Sequence, residues 1–140
     1  MTPAAVLAPV FAQVGLTFAL LFWMGRSRVA ALNAGEVRIK DIALAQRAWP
    51  DRITQIANSY QNQFETPVLF YALVALALIT RKADLVFVAM SWLYVLARFG
   101  HAYIYATTNI VRRRFQVFLL GTMILLLMWL IFAVRIFVDS

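Results

Sequence analysis

The sequence contains no cysteine and a single histidine among its 140 residues. Without cysteine the chain cannot form disulfides, thiolate metal sites or a cysteine nucleophile. One histidine with six scattered carboxylates also makes no metal-ligand cluster. Charge is scarce as well: only 14% of the residues are Asp, Glu, Lys or Arg, against about 25% in a soluble domain. The chain therefore lacks the polar surface that a soluble domain needs.

Long apolar runs take the place of that surface. Hydrophobic residues make up 64% of the chain, and the mean hydropathy is +0.79. Four segments approach or exceed the roughly 20 residues that cross a hydrocarbon core. The predicted helices cover about residues 4–25, 51–80, 83–106 and 112–138. The sequence thus predicts an all-α, integral membrane four-helix bundle forming one domain over residues 1–140.

The basic residues indicate how this bundle is oriented. The net charge of +7 is explained by cations at the ends of apolar runs, so it does not indicate nucleic-acid binding. The first and third loops share one side and hold Arg26, Arg28, Arg38, Lys40, Arg47, Arg52 and Arg112–Arg114, whereas the other side has Arg81, Lys82 and Arg135. The positive-inside rule places the two basic loops in the cytoplasm and both termini in the periplasm. A short chain without a recognisable targeting signal favours a bacterial inner membrane.

Two sets of polar residues lie within the predicted helices. Polar and ionisable residues in membrane helices are costly, so they mark candidate sites. Asn58, Asn62 and Glu65 share one face of the second helix beside Gln61, and Arg98, His101 and Tyr105 share one face of the third. The second and third helices are predicted to be antiparallel, which places Glu65 opposite Arg98 as a neutralising pair at the cytoplasmic end.

A structural and a functional interpretation of these residues both stay open. The Glu65–Arg98 pair can do no more than fix the helix register, and Asn62 can bond between helices. His101 can simply be packed, and Arg112–Arg114 can be an interfacial anchor. The other interpretation is that carboxylate, amide, phenol and guanidinium groups converge to bind a small zwitterionic or anionic ligand.

Two short motifs carry a family resemblance. Residues 58–67 read Asn-Ser-Tyr-Gln-Asn-Gln-Phe-Glu-Thr-Pro, and residues 98–105 read Arg-Phe-Gly-His-Ala-Tyr-Ile-Tyr, followed by Arg112–Arg114. They resemble the second-helix and third-helix motifs of the MAPEG family, the membrane-associated proteins in eicosanoid and glutathione metabolism. The likeness is to the microsomal glutathione transferase and prostaglandin E synthase branch, and it covers essentially the whole chain.

This resemblance implies a homotrimer that holds glutathione, as co-substrate, between neighbouring subunits near the cytoplasmic face. It implies that Asn62 and Glu65 contact the peptide part of glutathione and that Tyr105 lines the site. It also implies that Arg114 stabilises the thiolate, since a nearby cation lowers a thiol pKa. Further ligand contacts are implied for Arg26 or Arg28, whose register is ambiguous, and for Asn58, Gln61, Arg98 and His101.

Two functions follow as expectations. The first is a glutathione-dependent transferase or peroxidase that acts on lipophilic electrophiles arriving from the bilayer, with Arg114 and Tyr105 as the catalytic residues. The second is a non-catalytic membrane protein on the same scaffold, which binds a lipid or a small anion or acts as an accessory subunit. Asn58 and Gln61 favour the second, because relatives that use glutathione carry arginines there. Each absent guanidinium removes a charged hydrogen bond of about 1.5–3 kcal/mol.

Overall fold

The computed structural model describes residues 1–43 and 48–139, and all the regular structure in these ranges is helical. The helices are α1 (Pro3–Asn33), α2 (Ile39–Ile42), α3 (Asp51–Asn62), α4 (Thr66–Ile79), α5 (Leu85–Ala106) and α6 (Val111–Asp139). Four spans are long and apolar enough to cross a membrane: α1, α3 with α4, α5 and α6. The predicted all-α bundle of four membrane helices is confirmed. Arg47, assigned to the first basic loop, lies outside the described residues.

The first helix continues beyond its predicted end near residue 25. Arg26 and Arg28 end the apolar run but not the helix, because a charged side chain limits burial in lipid without breaking helical hydrogen bonds. The helix ends at Asn33, shortly before Gly35, whose φ of +74° lies in the left-handed region that commonly follows a helix. Both arginines therefore lie on a rigid helical extension rather than on a loop.

The second predicted helix, 51–80, is divided into α3 and α4 by a turn at residues 63–65. Pro67, in the first turn of α4, has no N–H to donate to the preceding turn, and its ring disfavours a continuous helix. The helix therefore breaks at the level of the predicted site. Asn62 is the last residue of α3, and Glu65 immediately precedes α4.

Buried polar side chains compensate for this break. Gln13 Nε2 donates to Gln63 Oε1 at 2.8 Å, and Gln63 Nε2 donates to the Ser59 carbonyl at 2.9 Å. Ser59 Oγ in turn donates to the Ala102 carbonyl on α5 at 3.2 Å. A broken helix is tolerated at membrane depth when neighbouring groups satisfy the freed backbone. The network thus ties α1, α3 and α5 together next to the site.

The main apolar core lies away from the break, between α1, α4, α5 and α6. Phe70 and Tyr94 are fully buried, with their ring centroids 4.8 Å apart. Gly121 permits the close approach of α6 to α5, because a Cβ there would lie 3.4 Å from the Ala97 Cβ. This packing fixes α6 against α5 and so sets the position of the site residues at its beginning.

Ion pairs connect the chain at the opposite end of the bundle. Lys82 Nζ lies 2.8 Å from Asp139 Oδ2, and Arg135 Nη2 lies 2.7 Å from Asp84 Oδ2. Asp84 also caps α5 by accepting from the Phe87 N–H at 2.9 Å. The hydrogen bond from Arg135 holds the pKa of Asp84 below its usual value.

We expect Asp84→Asn to remove a pH-dependent contribution to stability. A carboxyl with a lowered folded-state pKa contributes fully above its unfolded pKa of about 3.9, and the contribution is lost as the pH falls through the folded value. Asparagine still caps α5, and the ion pair with Arg135 is partly exposed, so the variant should be less stable than the wild type by only about 0.2–1 kcal/mol at neutral pH. The difference should shrink below about pH 4. Thermal unfolding of both proteins in detergent across this range checks the prediction; a difference that does not change with pH would contradict it.

Candidate functional site

The polar groups of α3 and α5 meet at the helix break, but not in the predicted arrangement. Arg98 is buried, and its Nη2 donates to the Asn62 side-chain oxygen and, at 3.3 Å, to the Asn62 carbonyl. Asn62 Nδ2 donates to Glu65 Oε1 at 2.7 Å. The predicted direct Glu65–Arg98 pair is therefore wrong: Asn62 stands between them and relays the interaction. The break after Asn62 turns Glu65 outward, where it is exposed.

Arg114 is held at the beginning of α6 by two contacts. Its Nη1 donates to Asn109 Oδ1 at 2.7 Å, and its guanidinium carbon lies 4.2 Å from the centroid of the Tyr105 ring. Asn109 has a φ of +50°, a conformation that asparagine tolerates better than most residues. The turn between α5 and α6 thus positions a cation over the last aromatic ring of the third-helix motif.

A cavity of about 270 Å³ lies beside these groups. Its lining combines four polar side chains with three apolar ones: Asn62, His101, Tyr105, Arg114, Val111, Phe115 and Phe118. The cavity brings together the end of α3, the end of α5 and the beginning of α6. An anionic or thiol-bearing ligand held there has a cation on one wall and apolar side chains on another.

His101 lines this cavity and has one ring nitrogen that is unpaired among the described residues. The side chain is only 3% exposed, and its ring lies 5.8 Å from that of Tyr105 and 5.7 Å from that of Phe118. Its Nδ1 has no hydrogen-bond partner within residues 1–43 and 48–139. Buried polar atoms are nearly always hydrogen-bonded, so this unpaired nitrogen next to a cavity is an exception.

The other predicted ligand contacts lie on the far side of α3. Arg28, Asn58 and Gln61 line a second cavity of about 330 Å³ between α1 and α3, together with Trp49. The Arg28 guanidinium carbon lies 5.0 Å from the centroid of the Trp49 ring. Within one chain, these three residues and the Arg114 cavity do not form a single site.

Arg26, Glu65 and Arg98 line neither cavity. Arg26 is exposed on α1, and Glu65 and Arg98 act through Asn62. Sequence reasoning missed Asn109, which orients Arg114, and Gln13, which supports the break. Gln13 carried a signal, since an amide in the middle of an apolar segment is costly. Asn109 carried little, because its role depends on a left-handed backbone conformation.

The chain matches a known protein family over nearly its whole length. The sequence model of the MAPEG family matches residues 6–134. No curated protein and no solved structure matches the chain. The matched range reaches into all four membrane spans and contains both motifs and Arg114.

Proposed function

The chain belongs to the MAPEG family, and from this premise we propose that it is a glutathione-dependent transferase or peroxidase acting on lipophilic electrophiles. The observation that carries the proposal is the cavity in which Arg114, Tyr105, His101 and Asn62 meet. The cation would stabilise a thiolate nucleophile, and the apolar part of the cavity would hold a lipophilic substrate.

The reaction needs few protein groups. Near Arg114 the glutathione thiol loses its proton more readily, because the guanidinium stabilises the thiolate. In a transfer, the sulfur forms a bond to the electrophilic carbon, and the leaving group departs with the bonding electron pair. In a peroxidase reaction, two glutathione molecules reduce a hydroperoxide to an alcohol and water and become joined as a disulfide. Tyr105 and Asn62 contribute by positioning the peptide.

In the part of the chain that the structure describes, the cavity offers one cation, which we assign to the thiolate, and it leaves the two carboxylates of glutathione without a guanidinium partner. Arg114 is its only lining cation among the described residues, since Arg98 is engaged by Asn62. Asn58 and Gln61, which stand where glutathione-using relatives have arginines, line the other cavity. We therefore propose a dissociation constant in the high micromolar to millimolar range, because each missing guanidinium partner weakens binding by about a factor of ten or more.

The proposal includes assembly and orientation. Val111 and Phe115, in the cavity wall, are 63% and 60% exposed in the single chain. A neighbouring copy in a homotrimer would cover this wall. The distribution of cations supports a cytoplasmic location of the first and third loops. The bacterial inner membrane is part of the same proposal.

A second function is favoured by the contacts of Arg98 Nη2. Both atoms that it contacts belong to Asn62, which also donates to Glu65, so these three residues are linked without a ligand, although Arg98 Nε has no partner within residues 1–43 and 48–139. A polar chain of this kind fixes the register of α3 against α5. On this alternative, the protein is a non-catalytic member of the family that binds a lipid or small anion or serves as an accessory subunit.

Calorimetric titration of glutathione into the detergent-solubilised protein, beside Glu65→Gln, tests the proposal. Glu65 does not line the cavity itself, but it is exposed and accepts from Asn62, which does. We expect the variant to bind at least about tenfold more weakly, since a ligand amine at the mouth of the cavity loses its carboxylate partner. Its thermal stability should change little, because the amide oxygen can still accept from Asn62. A lowered stability with unchanged binding would favour the alternative, and no binding to the wild type at millimolar glutathione would overturn the proposal.

A further inference from the structure

The outer face of α6 carries exposed cations above an exposed apolar stripe. Arg112 and Arg113 are exposed, and neither forms an ion pair or side-chain hydrogen bond in residues 1–43 and 48–139. With 3.6 residues per turn, the face below them continues through Leu120, Met123 and Leu127. These three side chains are 57%, 53% and 50% exposed.

This stripe belongs to an apolar groove of about 300 Å³ along α6. The groove lies opposite the core-facing side of the helix, where Gly121, Leu125 and Met128 are buried. Its lining is entirely aliphatic or thioether, contributed by Leu120, Met123, Ile124, Leu126, Leu127 and Leu130. Such a surface accepts a hydrocarbon chain but gives no polar ligand a partner.

The two arginines supply the missing polar end. They lie about 12 Å above Leu120, at a rise of 1.5 Å per residue, where the apolar part of α6 gives way to the interface. Arginine in the first turn of a helix is disfavoured by the helix dipole, and α6 has no acidic residue there. By contrast, α5 begins with a capping carboxylate from Asp84. None of the ion pairs among the described residues involves Arg112 or Arg113, so both guanidinium groups are open to an anion from outside the chain.

We infer that this face of α6 is a binding site for an anionic phospholipid. The lipid phosphate pairs with Arg112 and Arg113, and one acyl chain lies in the groove. Guanidinium groups bind phosphate with bidentate hydrogen bonds, and the apolar groove next to them favours a lipid over free phosphate. This face does not include the Arg114 cavity, so the inference stands apart from the proposed function.

Native mass spectrometry of the full chain in detergent tests it, with phosphatidylglycerol and phosphatidylcholine titrated separately. We expect phosphatidylglycerol to bind more tightly. Each basic residue near a membrane surface contributes about fivefold in affinity. Arg112→Gln with Arg113→Gln should therefore weaken phosphatidylglycerol binding about 25-fold. Phosphatidylcholine binding should fall much less, because the choline cation offsets the charge of its phosphate. Arg112→Lys with Arg113→Lys should keep most of the preference.

Further variants separate the two halves of the site. Arg81→Gln removes an exposed cation at the other end of the bundle and should change nothing, whereas Leu127→Trp, which fills the groove, should weaken both lipids. Equal binding of the two lipids, or a preference that survives Arg112→Gln with Arg113→Gln, would refute the site. Full competition by glycerol phosphate would also refute the site. So would a Leu127→Trp variant that still binds lipid but no longer self-associates, because the groove would then bind a second copy of the chain.

Discussion

Replacing Arg114 with alanine is expected to slow glutathione conjugation about a hundredfold. A loss of this size is typical when an active site loses one preorganised group that stabilises an anion. The guanidinium lies on the cavity wall and over the Tyr105 ring, so its removal takes away the nearest positive charge. The pKa of the bound glutathione thiol should rise accordingly. Steady-state turnover of a lipophilic aryl halide, together with the ultraviolet absorbance of bound thiolate against pH, measures both effects.

Matched variants separate charge from position. Arg114→Lys keeps the charge and should retain most of the activity. Asn109→Gly removes the side chain that holds Arg114 but suits the left-handed backbone at that position, and it should cost about tenfold. Arg113→Ala removes an identical charge one residue away and should leave turnover in detergent unchanged. If Arg113→Ala and Arg114→Ala lowered activity equally, the net positive charge of this region, and not a specific contact of Arg114, would account for the loss.

The Asn62→Leu variant is expected to lose about 1.5–3 kcal/mol of stability, because it removes the side-chain hydrogen bond to the buried Arg98 guanidinium. Leaving a buried polar group without its partner is among the established causes of large destabilisation by a single substitution. Detergent-denaturant titration followed by circular dichroism measures the change. Arg98→Met in the Asn62→Leu background should recover most of the loss, because an apolar pair of similar size replaces the polar one.

The same double variant separates the two proposed functions. On the enzyme hypothesis, the protein with Asn62→Leu and Arg98→Met is folded but no longer binds glutathione, because Asn62 lines the cavity. On the non-catalytic hypothesis, it is folded and every ligand property is unchanged. If the double variant is no more stable than Asn62→Leu alone, Arg98 does not depend on Asn62 in the way its hydrogen bonds indicate.

The fold could be predicted in outline because the membrane imposes strict rules on sequence. Apolar length identified the four spans, and their order and hairpins were as expected. What could not be predicted was the interruption within the second span. Asn58, Asn62 and Glu65 share a face only if the helix is continuous, whereas Pro67 divides it after Asn62. Because Pro67 interrupts the helix, Glu65 does not pair directly with Arg98. Asn62 hydrogen-bonds to both residues instead.

The sequence indicated some of the residues of the candidate site, but not how all of them are arranged. Asn62, His101, Tyr105 and Arg114 do lie around one cavity. Asn58 and Gln61 do not join it, because α3 presents them to α1, where Arg28 lies. Spacing along a helix tells which residues share a face, but the partner of that face depends on packing between distant segments. Glutathione binding by these groups stays a prediction.

The division of the second span also sets the depth of the candidate site in the membrane. From Thr66 to Ile79, α4 has 14 residues, which at 1.5 Å each measure about 21 Å. A hydrocarbon core is about 30 Å thick, so roughly 9 Å of its depth must be covered by the turn and the end of α3. Asn62 and the cavity then lie below the water boundary, unless the bilayer thins locally around the protein. Glutathione, which is water-soluble, would have to enter from the aqueous side and move below the membrane surface. A lipophilic substrate could reach the same depth by diffusing laterally from the bilayer.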